Sequence, residues 1–440
     1  MKTLLPLFVK QIPKTTVSYT QLLSQLFCNL TNPVDNKMII GEDTSASSTL
    51  FKPSLFVKNP NLVTEMENVA KINSVNSFRV FEIIIELACC SCETLVELCE
   101  PQFKLNEKIQ FYLGNKRDVL SQLNCIELLF SLAKTNHGYE YMKQMGYLSL
   151  FVNYLKEQED PLSTTFLVPS IVKLFSHLAR IKFGSFDCPD FYNFLFKQIL
   201  SDDLEKTYSS SYLNLALQTF TYLFELNYVV ESIYKNYEKQ LLMAVHKLAW
   251  IVKNLINEEL KSNALVCIST LIAVEASLLH TDNTELKWKK LNWKQLESYS
   301  KLANYFYENL SSERCSNEKF FSICLNLAKQ PFVETRLAAQ CYFKALAQTT
   351  WGLHALFVPN QYNKEELFFS GYILNRSTEL EKIGLESKYE LVKLLHANLE
   401  VNQDLVHLIH GEMNYHKLKK YIQEGPFYTK VETKVAFESF

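Results

Sequence analysis

The chain has 440 residues, of which 48% are hydrophobic, so it is too long for one ordinary core and too apolar to be disordered. Its 45 basic and 47 acidic residues give a formal net charge of −2, and this balance argues against a general nucleic-acid or membrane-surface binder. Only 10 glycines occur, where average usage would give about 31, and this shortage favours helices joined by short polar connections. The sequence contains no phosphate-loop, dinucleotide-binding, nucleophile-elbow or zinc-protease motif, so we expect no enzymatic activity, no cofactor and no small-molecule substrate.

The N-terminal part of the chain divides into two predicted segments. Residues 1–30 are predicted to form a helical segment, whose apolar patch from Leu4 to Val9 is shorter than the apolar region of a signal peptide. Residues 31–61 contain three prolines, several serines and Gly41, which predicts a loop or partly disordered insertion. Because no run of 18 uncharged apolar residues occurs, we expect a cytoplasmic protein, with the nucleus as a second location, and reduced cysteines.

A cysteine-rich stretch, "CCSCETLVELC", is the sharpest candidate for a metal site. Cys89 and Cys92 have a zinc-like spacing, and His407 with His410 could complete a ligand set. In a continuous helix, however, Cys92 and Cys99 would lie about 10 Å apart along the axis. We therefore expect these cysteines to form an apolar helix stripe and to bind no metal.

Similar phrases recur along the chain at intervals of roughly 44 to 49 residues, with one longer gap near 74. They are "EIIIELACC", "ELLFSLAKT", "KLFSHLARI", "TFTYLFELN", "CISTLIAVE", "YFKALAQTT" and "ELVKLLHAN". A period in the mid-forties is typical of armadillo and HEAT repeats. The sequence therefore predicts an all-α fold, an armadillo- or HEAT-like α-solenoid over residues 62–424 that winds into a curved superhelix.

The clearest unit, residues 119–160, predicts three helices: "VLSQLNCIELLFSLAKT", "NHGYEYMKQMG" and "YLSLFVNYLKEQED". Gly138 permits a tight connection between the first two helices. Gly146 can end the second helix in the left-handed conformation. One such unit cannot bury its own apolar face, so neighbouring units must stack.

The stretch "ELKWKKLNWKQL", residues 285–296, interleaves lysines with two tryptophans. Such a pattern can bind single-stranded nucleic acid, but the neutral overall charge favours a connecting segment whose tryptophans pack on the adjoining helices. His177, His246 and His396 fall within predicted helices without a partnered nucleophile, so we assign them no catalytic role.

Three stretches in the last quarter of the chain carry a family resemblance. They are "ETRLAAQCYFKALAQTTWG" (334–352), "NRSTELEKIGLESKYELVKLL" (375–395) and "NYHKLKKYIQEGPFYTKVET" (414–433). In these stretches the chain resembles the proteasome non-ATPase regulatory subunit 5 family, which assembles the base of the proteasome regulatory particle. Upstream the match is to the repeat architecture alone.

The resemblance implies a C-shaped solenoid that binds the C-terminal domain of one proteasomal ATPase subunit. It further implies that the protein holds ATPase and non-ATPase subunits together during assembly and hinders premature docking on the core particle. No nucleic acid or membrane partner is expected. The alternative is an armadillo adaptor for extended basic peptides, although its regular Asn and Trp ladders are absent from this sequence.

A solenoid offers a long concave surface lined by the last helix of each repeat. Polar and aromatic positions on those helices are the candidate partner-binding residues: Asn153, Tyr154, Lys156, Tyr192, Lys197, Lys247, Asn375, Arg376, Lys419 and Lys420. For any one of these residues, a solvated helix face is the alternative interpretation.

The chain ends with a predicted capping tail over residues 425–440. Gly425 and Pro426 stop the last helix. Phe427 and Tyr428 are then expected to cover the final helix layer, because the end of a repeat array needs a cap.

Overall fold

A computed structural model describes residues 74–97, 104–156, 161–181, 188–201, 207–281, 320–349, 366–401 and 412–428, together with a few isolated positions near 66, 353 and 406. The predictions for residues 1–30, 31–61 and 285–296 lie outside these residues. Every regular element in the described part of the chain is a helix, which confirms the predicted all-α, solenoid-like class. The curvature of the superhelix and the four predicted segments stay predictions.

The chain divides into two compact units, Met1–Phe191 and Tyr192–Phe440. Up to the boundary, the helices are α1 (Ser74–Cys90), α2 (Cys92–Glu97), α3 (Leu105–Gly114), α4 (Val119–Leu132), α5 (Asn136–Gln144), α6 (Tyr147–Lys156) and α7 (Pro161–Ile181), and the boundary falls within α8 (Pro189–Leu200). Beyond it follow α9 (Thr207–Phe224), α10 (Asn227–Asn254), α11 (Glu258–Thr281), α12 (Phe320–Leu327), α13 (Val333–Ala347), a π-helix (Glu366–Ile373), a 3₁₀ turn (Arg376–Thr378), α14 (Lys382–Val401) and α15 (Glu412–Glu424).

The first unit contains the predicted three-helix repeat, and α4, α5 and α6 confirm it. Gly146 has a φ of +77°, so the second helix ends in the left-handed conformation as predicted. The long helices α1, α4 and α7 pack against one another in chain order. Each long helix therefore buries its apolar face against the equivalent helix of the next repeat.

The second unit stacks its long helices in the same way, with α9 against α11, α11 against α13 and α13 against α14. Helix α10 is kinked at Tyr237, whose φ of −135° and ψ of 30° are not helical. Lys247, one of the candidate partner-binding residues, lies on the part of α10 after the kink. The final helix, α15, packs on α14.

The same turn motif follows the long helices α4 and α13 of two repeats that lie far apart in the sequence. Thr135 accepts a hydrogen bond from the Gly138 amide at 3.1 Å, and Thr349 accepts one from Gly352 at 3.0 Å. A Cβ atom at Gly138 would lie 2.1 Å from the Leu132 carbonyl oxygen. In each repeat, the glycine is required because the carbonyl oxygen of the leucine that begins the motif lies too close for a Cβ atom. The pattern Leu-Ala-x-Thr-x-x-Gly encodes this arrangement in both repeats.

Hydrogen bonds between repeats join residues that are about one repeat apart. Separations of 41 to 51 residues recur in Tyr154 Oη to Leu113 O, His137 Nε2 with Ala88 O, Asn263 Nδ2 to Asn214 Oδ1, Lys344 Nζ to Ser387 Oγ and Asn398 Nδ2 to Ala347 O. Each of these contacts ties a helix to its neighbour in the stack, so polar side chains help to fix the register of the repeats.

Candidate functional site

The predicted partner-binding residues differ in their exposure. Asn153, Lys156, Lys197, Asn375, Lys419 and Lys420 are exposed, Tyr154, Lys247 and Arg376 are half-buried, and Tyr192 is buried. The exposed members lie on α6, α8, α15 and the residue that precedes the 3₁₀ turn. Their role in binding stays a prediction.

Both tyrosines of this set make contacts inside the fold. The Tyr154 hydroxyl donates to the Leu113 carbonyl at 2.9 Å and accepts from the buried Gln122 amide at 3.2 Å. Tyr192 packs against Tyr237, with 5.2 Å between ring centroids. These contacts give both residues a packing role, which the sequence pattern alone did not separate from a surface role.

Three of the lysines also have partners on the surface. Lys156 pairs with Asp190 at 3.0 Å, and the Lys247 ammonium lies 4.8 Å from the centroid of the Trp250 ring. Lys420 approaches Glu424 at 3.9 Å across one helical turn. Such exposed pairs contribute little to stability, so these cations remain accessible to an acidic partner.

Arg376 holds the last helix in place rather than facing solvent. Its guanidinium donates to the carbonyl oxygens of Gly425 at 2.6 Å and Tyr421 at 3.1 Å, and to the Glu424 carboxylate at 3.2 Å. It also lies 3.7 Å from the centre of the Tyr421 ring, a cation–π contact. Arg376 thus adds hydrogen bonds to two carbonyl oxygens at and just beyond the end of α15, where a positive charge also favours the helix dipole.

The predicted helix stop at the C-terminus is confirmed. Helix α15 ends at Glu424, and Gly425 has a φ of +81°. The side chains of Phe427 and Tyr428 are 52% and 42% exposed, so the expected burial of both rings is not found. The Tyr428 ring lies 5.3 Å from the Arg376 guanidinium, and the capping role of the two aromatic residues stays a prediction.

A buried ion pair joins α13 to the segment before α14. Arg336 Nη2 and Nε donate to the two oxygens of Glu379 at 2.8 and 3.0 Å, and Gln340 donates to the same carboxylate at 3.3 Å. Burial alone would raise the pKa of Glu379, but the hydrogen bonds and charge of Arg336 hold that pKa below its ordinary value. This bidentate pair fixes the register of two neighbouring repeats.

Glycine at position 384 makes room for this ion pair. A Cβ atom there would lie 2.2 Å from the Glu379 Cδ atom. Glu379 also accepts hydrogen bonds from the amides of Leu380 and Glu381, at 3.2 and 3.4 Å. The Glu379 carboxylate therefore binds Arg336 and also fixes the backbone just before the first turn of α14.

Lys388 is fully buried in α14 and holds the 3₁₀ turn that presents Arg376. Its ammonium donates to the Asn375 carbonyl at 2.6 Å and to the Thr378 hydroxyl at 2.7 Å, and it lies 4.8 Å from the Tyr372 ring. The pKa of Lys388 is lowered to about 7, chiefly by burial; the charge of Glu379 opposes this shift and that of Arg376 adds to it. Residues 375–395, one of the stretches that carry the family resemblance, thus contribute Glu379 and Lys388 to a buried polar junction between the last repeats.

Arg336, Glu379 and Lys388 are not among the residues predicted from the sequence, although a signal for two of them is present there. Lys388 occupies the helical stripe that Leu391, Val392, Leu395 and Leu399 continue, all of which are buried. Arg336 likewise lies on the buried stripe of α13. A charged residue in an apolar stripe predicts a buried partner, and here that partner lies beyond the local sequence.

The prediction of one continuous cysteine stripe is wrong. Helix α1 ends at Cys90 and α2 begins at Cys92, because the Ser91 hydroxyl accepts a hydrogen bond from the Thr94 amide at 3.1 Å and starts a new helix. Cys92 is exposed, whereas Cys89 contacts the Ser131 carbonyl at 3.6 Å, and burial raises the pKa of its thiol to about 12. Cys99 lies outside the described residues.

The three histidines considered above have different surroundings. The His177 ring packs on Phe130 at 4.5 Å, and burial lowers its pKa. The His396 ring stacks on Tyr415 at 4.9 Å, and His246 is exposed. Within the described residues, no group of three histidine, cysteine or acidic side chains is arranged to hold a metal ion. In the same part of the chain, no helix is long and apolar enough to cross a bilayer.

Comparison with known proteins gives consistent matches to one family. A family model described as "Proteasome non-ATPase 26S subunit" matches residues 4–439. The human protein named "26S proteasome non-ATPase regulatory subunit 5" is 27% identical over 384 residues, covering 86% of this chain and 67% of the human chain. The mouse protein of that name is 27% identical over 381 residues, covering 86% and 67% of the two chains, and the Drosophila melanogaster protein is 23% identical over 388 residues, covering 87% and 66%. Among solved structures, an engineered protein is 11% identical over 96% of this chain and 99% of its own, with a TM-score of 0.32, which is too low to carry an argument.

Proposed function

This chain belongs to the proteasome non-ATPase 26S subunit family, and we propose that it is a non-catalytic assembly chaperone that binds the C-terminal domain of a proteasomal ATPase subunit. The observation that carries the proposal is the family match across residues 4–439, together with relatives named as regulatory subunit 5. In this proposal the protein acts in the cytoplasm or nucleus. It holds base subunits during assembly and hinders their premature docking on the core particle.

The helical architecture supports a binding role of this kind. Stacked repeats present a long surface made of successive helices, and such surfaces bind other proteins over several repeats at once. Exposed lysines occur on three helices of the predicted surface: Lys156 on α6, Lys197 on α8, and Lys419 with Lys420 on α15. An acidic partner surface would complement them, which gives orientation and a fast association rate.

Calorimetry with each purified proteasomal ATPase C-terminal domain, in the absence of nucleotide, tests the function. We expect one domain to bind the full chain. If no domain binds, the assembly-chaperone proposal is rejected.

The surface needs a separate test, and Arg376 is unsuitable because its reversal would release α15. Reversing Lys419 and Lys420 to glutamate should weaken binding about tenfold or more, and the loss should shrink at high salt. The matched control reverses Lys116 and Lys143, which are exposed and lie outside the predicted surface. Equal affinity of the two folded variants would reject this surface and leave the partner assignment standing.

A further inference from the structure

The last helix, α15, is joined to the stack through few buried side chains. Leu418 and Tyr421 are its two buried residues, whereas α13 has ten. The Tyr389 hydroxyl of α14 donates to the Ile422 carbonyl of α15 at 2.9 Å. Elements with little buried apolar surface are the first to open by local unfolding, so α15 is the part of this junction that can open while α13 stays folded.

The C-terminal end of α15 is held by Arg376, whose own position is fixed by α14. Arg376 makes three hydrogen bonds to the last turn of α15 and the residue after it. It begins the 3₁₀ turn, which Lys388 fixes by donating to the Asn375 carbonyl and the Thr378 hydroxyl. One short turn therefore connects the buried amine of Lys388 to the attachment of α15.

Arg376 is also the cation that opposes a charge on Lys388. The titratable groups on the elements packed against Lys388 are Arg336 on α13, Tyr372 on the π-helix, Arg376, Glu379 and Glu381 beside the 3₁₀ turn, and Tyr421 and Glu424 on α15. The charge of Glu379 favours the protonated amine, and that of Arg376 disfavours it. Glu379 binds Arg336 of α13 and keeps this partner when α15 opens, whereas Arg376 loses its partners. Because the coupling between two groups is reciprocal, a proton on Lys388 weakens the binding of Arg376 to α15.

We propose that α15 is a proton-dependent latch, in which uptake of a proton by Lys388 makes Arg376 release the end of α15 while α13 and α14 stay folded. Opening also gives the amine more water, and both changes favour its protonated form. The latch goes beyond the proposed function, because it does not depend on a partner. Lys419 and Lys420 move with α15, so under the proposed function acidification would also weaken partner binding.

The pH range of the latch follows from the burial of Lys388. Its pKa with α15 closed is about 7, chiefly because of burial, and the ordinary lysine value is about 10.4. Since the open state has the higher pKa, the opening constant of α15 is largest at low pH and falls as the pH rises above 7. If opening raises the pKa by one unit, the opening constant falls about threefold between about pH 7.5 and 9. This range lies above the ordinary titration of histidine, about 6.5, which separates Lys388 from the histidines of α14 and α15.

Hydrogen exchange of the full chain without a partner measures the opening. Protection factors at about pH 7.5 and 9 are compared, because they correct for the pH dependence of chemical exchange. We expect the amides of α15 to be less protected than those of α13, and their protection to rise about threefold or more over this range. Equal protection of the two helices, or a protection of α15 that does not change with pH, would overturn the proposal. Because no partner is present, this outcome is independent of whether an ATPase domain binds.

Variants then identify the groups that form the latch. Lys388→Met should abolish the pH dependence of protection in α15. Arg376→Gln and Arg376→Lys both remove the guanidinium, but only the second keeps the positive charge, so the pH dependence should shrink in Arg376→Gln and persist in Arg376→Lys. Tyr389→Phe, which removes the hydrogen bond to Ile422, should lower the protection of α15 by the same factor at both pH values.

Circular dichroism checks that each variant is folded. If Lys388→Met does not fold, the two Arg376 variants decide the proposal by themselves. An equal pH dependence in Arg376→Gln and Arg376→Lys, or the wild-type pH dependence in a folded Lys388→Met, would reject the latch.

Discussion

Replacing Glu379 by alanine should destabilise the last repeats strongly, because it leaves a buried guanidinium without its carboxylate. The Glu379 side chain is 1% exposed and that of Arg336 is 9% exposed. Breaking a buried pair by removing one partner costs about 3–5 kcal/mol. Arg336 Nη1 keeps the carbonyl oxygens of Gln330 and Pro331, at 3.0 and 2.7 Å, so we expect the lower end, about 3 kcal/mol.

Hydrogen exchange measures this loss where it occurs. A loss of about 3 kcal/mol corresponds to roughly a hundredfold rise in the opening constant of amides in α13 and α14. The control is Glu381→Ala, whose side chain is 55% exposed and lies 3.8 Å from Arg336. An exposed pair of this kind contributes about 0–1 kcal/mol.

A double variant separates the pairing from the packing. Replacing Arg336 by methionine together with Glu379 by leucine removes both charges and keeps apolar volume, so it should cost less than Glu379→Ala alone. If Glu379→Ala exchanged no faster than Glu381→Ala, the argument that this buried pair joins the two repeats would be refuted.

Three further outcomes are expected. Gly138→Ala should lower the free energy of unfolding in urea by about 1–3 kcal/mol, because the new Cβ atom would lie 2.1 Å from the Leu132 carbonyl oxygen. The control Gly114→Ala places a Cβ atom where nothing lies within 4 Å, so it should be neutral or slightly stabilising. Equal effects of the two changes would contradict this prediction. The buried Lys388 has a pKa of about 7 in the folded chain and about 10.4 in the unfolded chain, so the folded state favours its neutral form. The free energy of unfolding should therefore rise between these pH values, by up to about 1.4 kcal/mol per pH unit. Lys388→Met should remove this pH dependence, and a variant that keeps the wild-type pH dependence would refute the assignment. Phe427→Ala should cost less than about 1 kcal/mol by thermal unfolding, since the ring is half exposed, and a larger loss would restore the capping role that the sequence suggested.

The local elements of the fold follow from the sequence more directly than the polar contacts between them. The helices α4, α5 and α6 begin at the residues where the three predicted segments begin and end two to four residues earlier than those segments, and they follow from apolar periodicity and two glycines because these signals lie within one repeat. Ser91 interrupts the cysteine stripe by a local side-chain cap, a signal that was present in the sequence and was outweighed by the apolar pattern.

The buried junction needed the structure. Arg336 and Glu379 are 43 residues apart, and nothing in the sequence pairs them before the repeats are aligned. For Arg376, too, the sequence alone does not show the distant partners, and here a residue that was predicted to lie on the surface makes contacts inside the fold. Its place outside the apolar stripe suggested a surface residue, yet its partners lie 45 to 49 residues downstream, in α15 and just after it. Contacts across one repeat therefore decide whether a charged residue binds a partner or holds the stack.

The one-repeat separation of these hydrogen bonds has a consequence for synthesis of the chain. Translation adds about 5–20 residues per second, so the carbonyl of Leu113 or Ala347 waits roughly 2 to 10 s before its donor, 41 to 51 residues downstream, has been made. During that interval the newest repeat on the ribosome exposes both its apolar face and its unpaired polar groups. The newest repeat is then the most aggregation-prone part of the nascent chain. A slow stretch of translation within one repeat should therefore raise aggregation of the nascent chain more than the same delay at a repeat boundary.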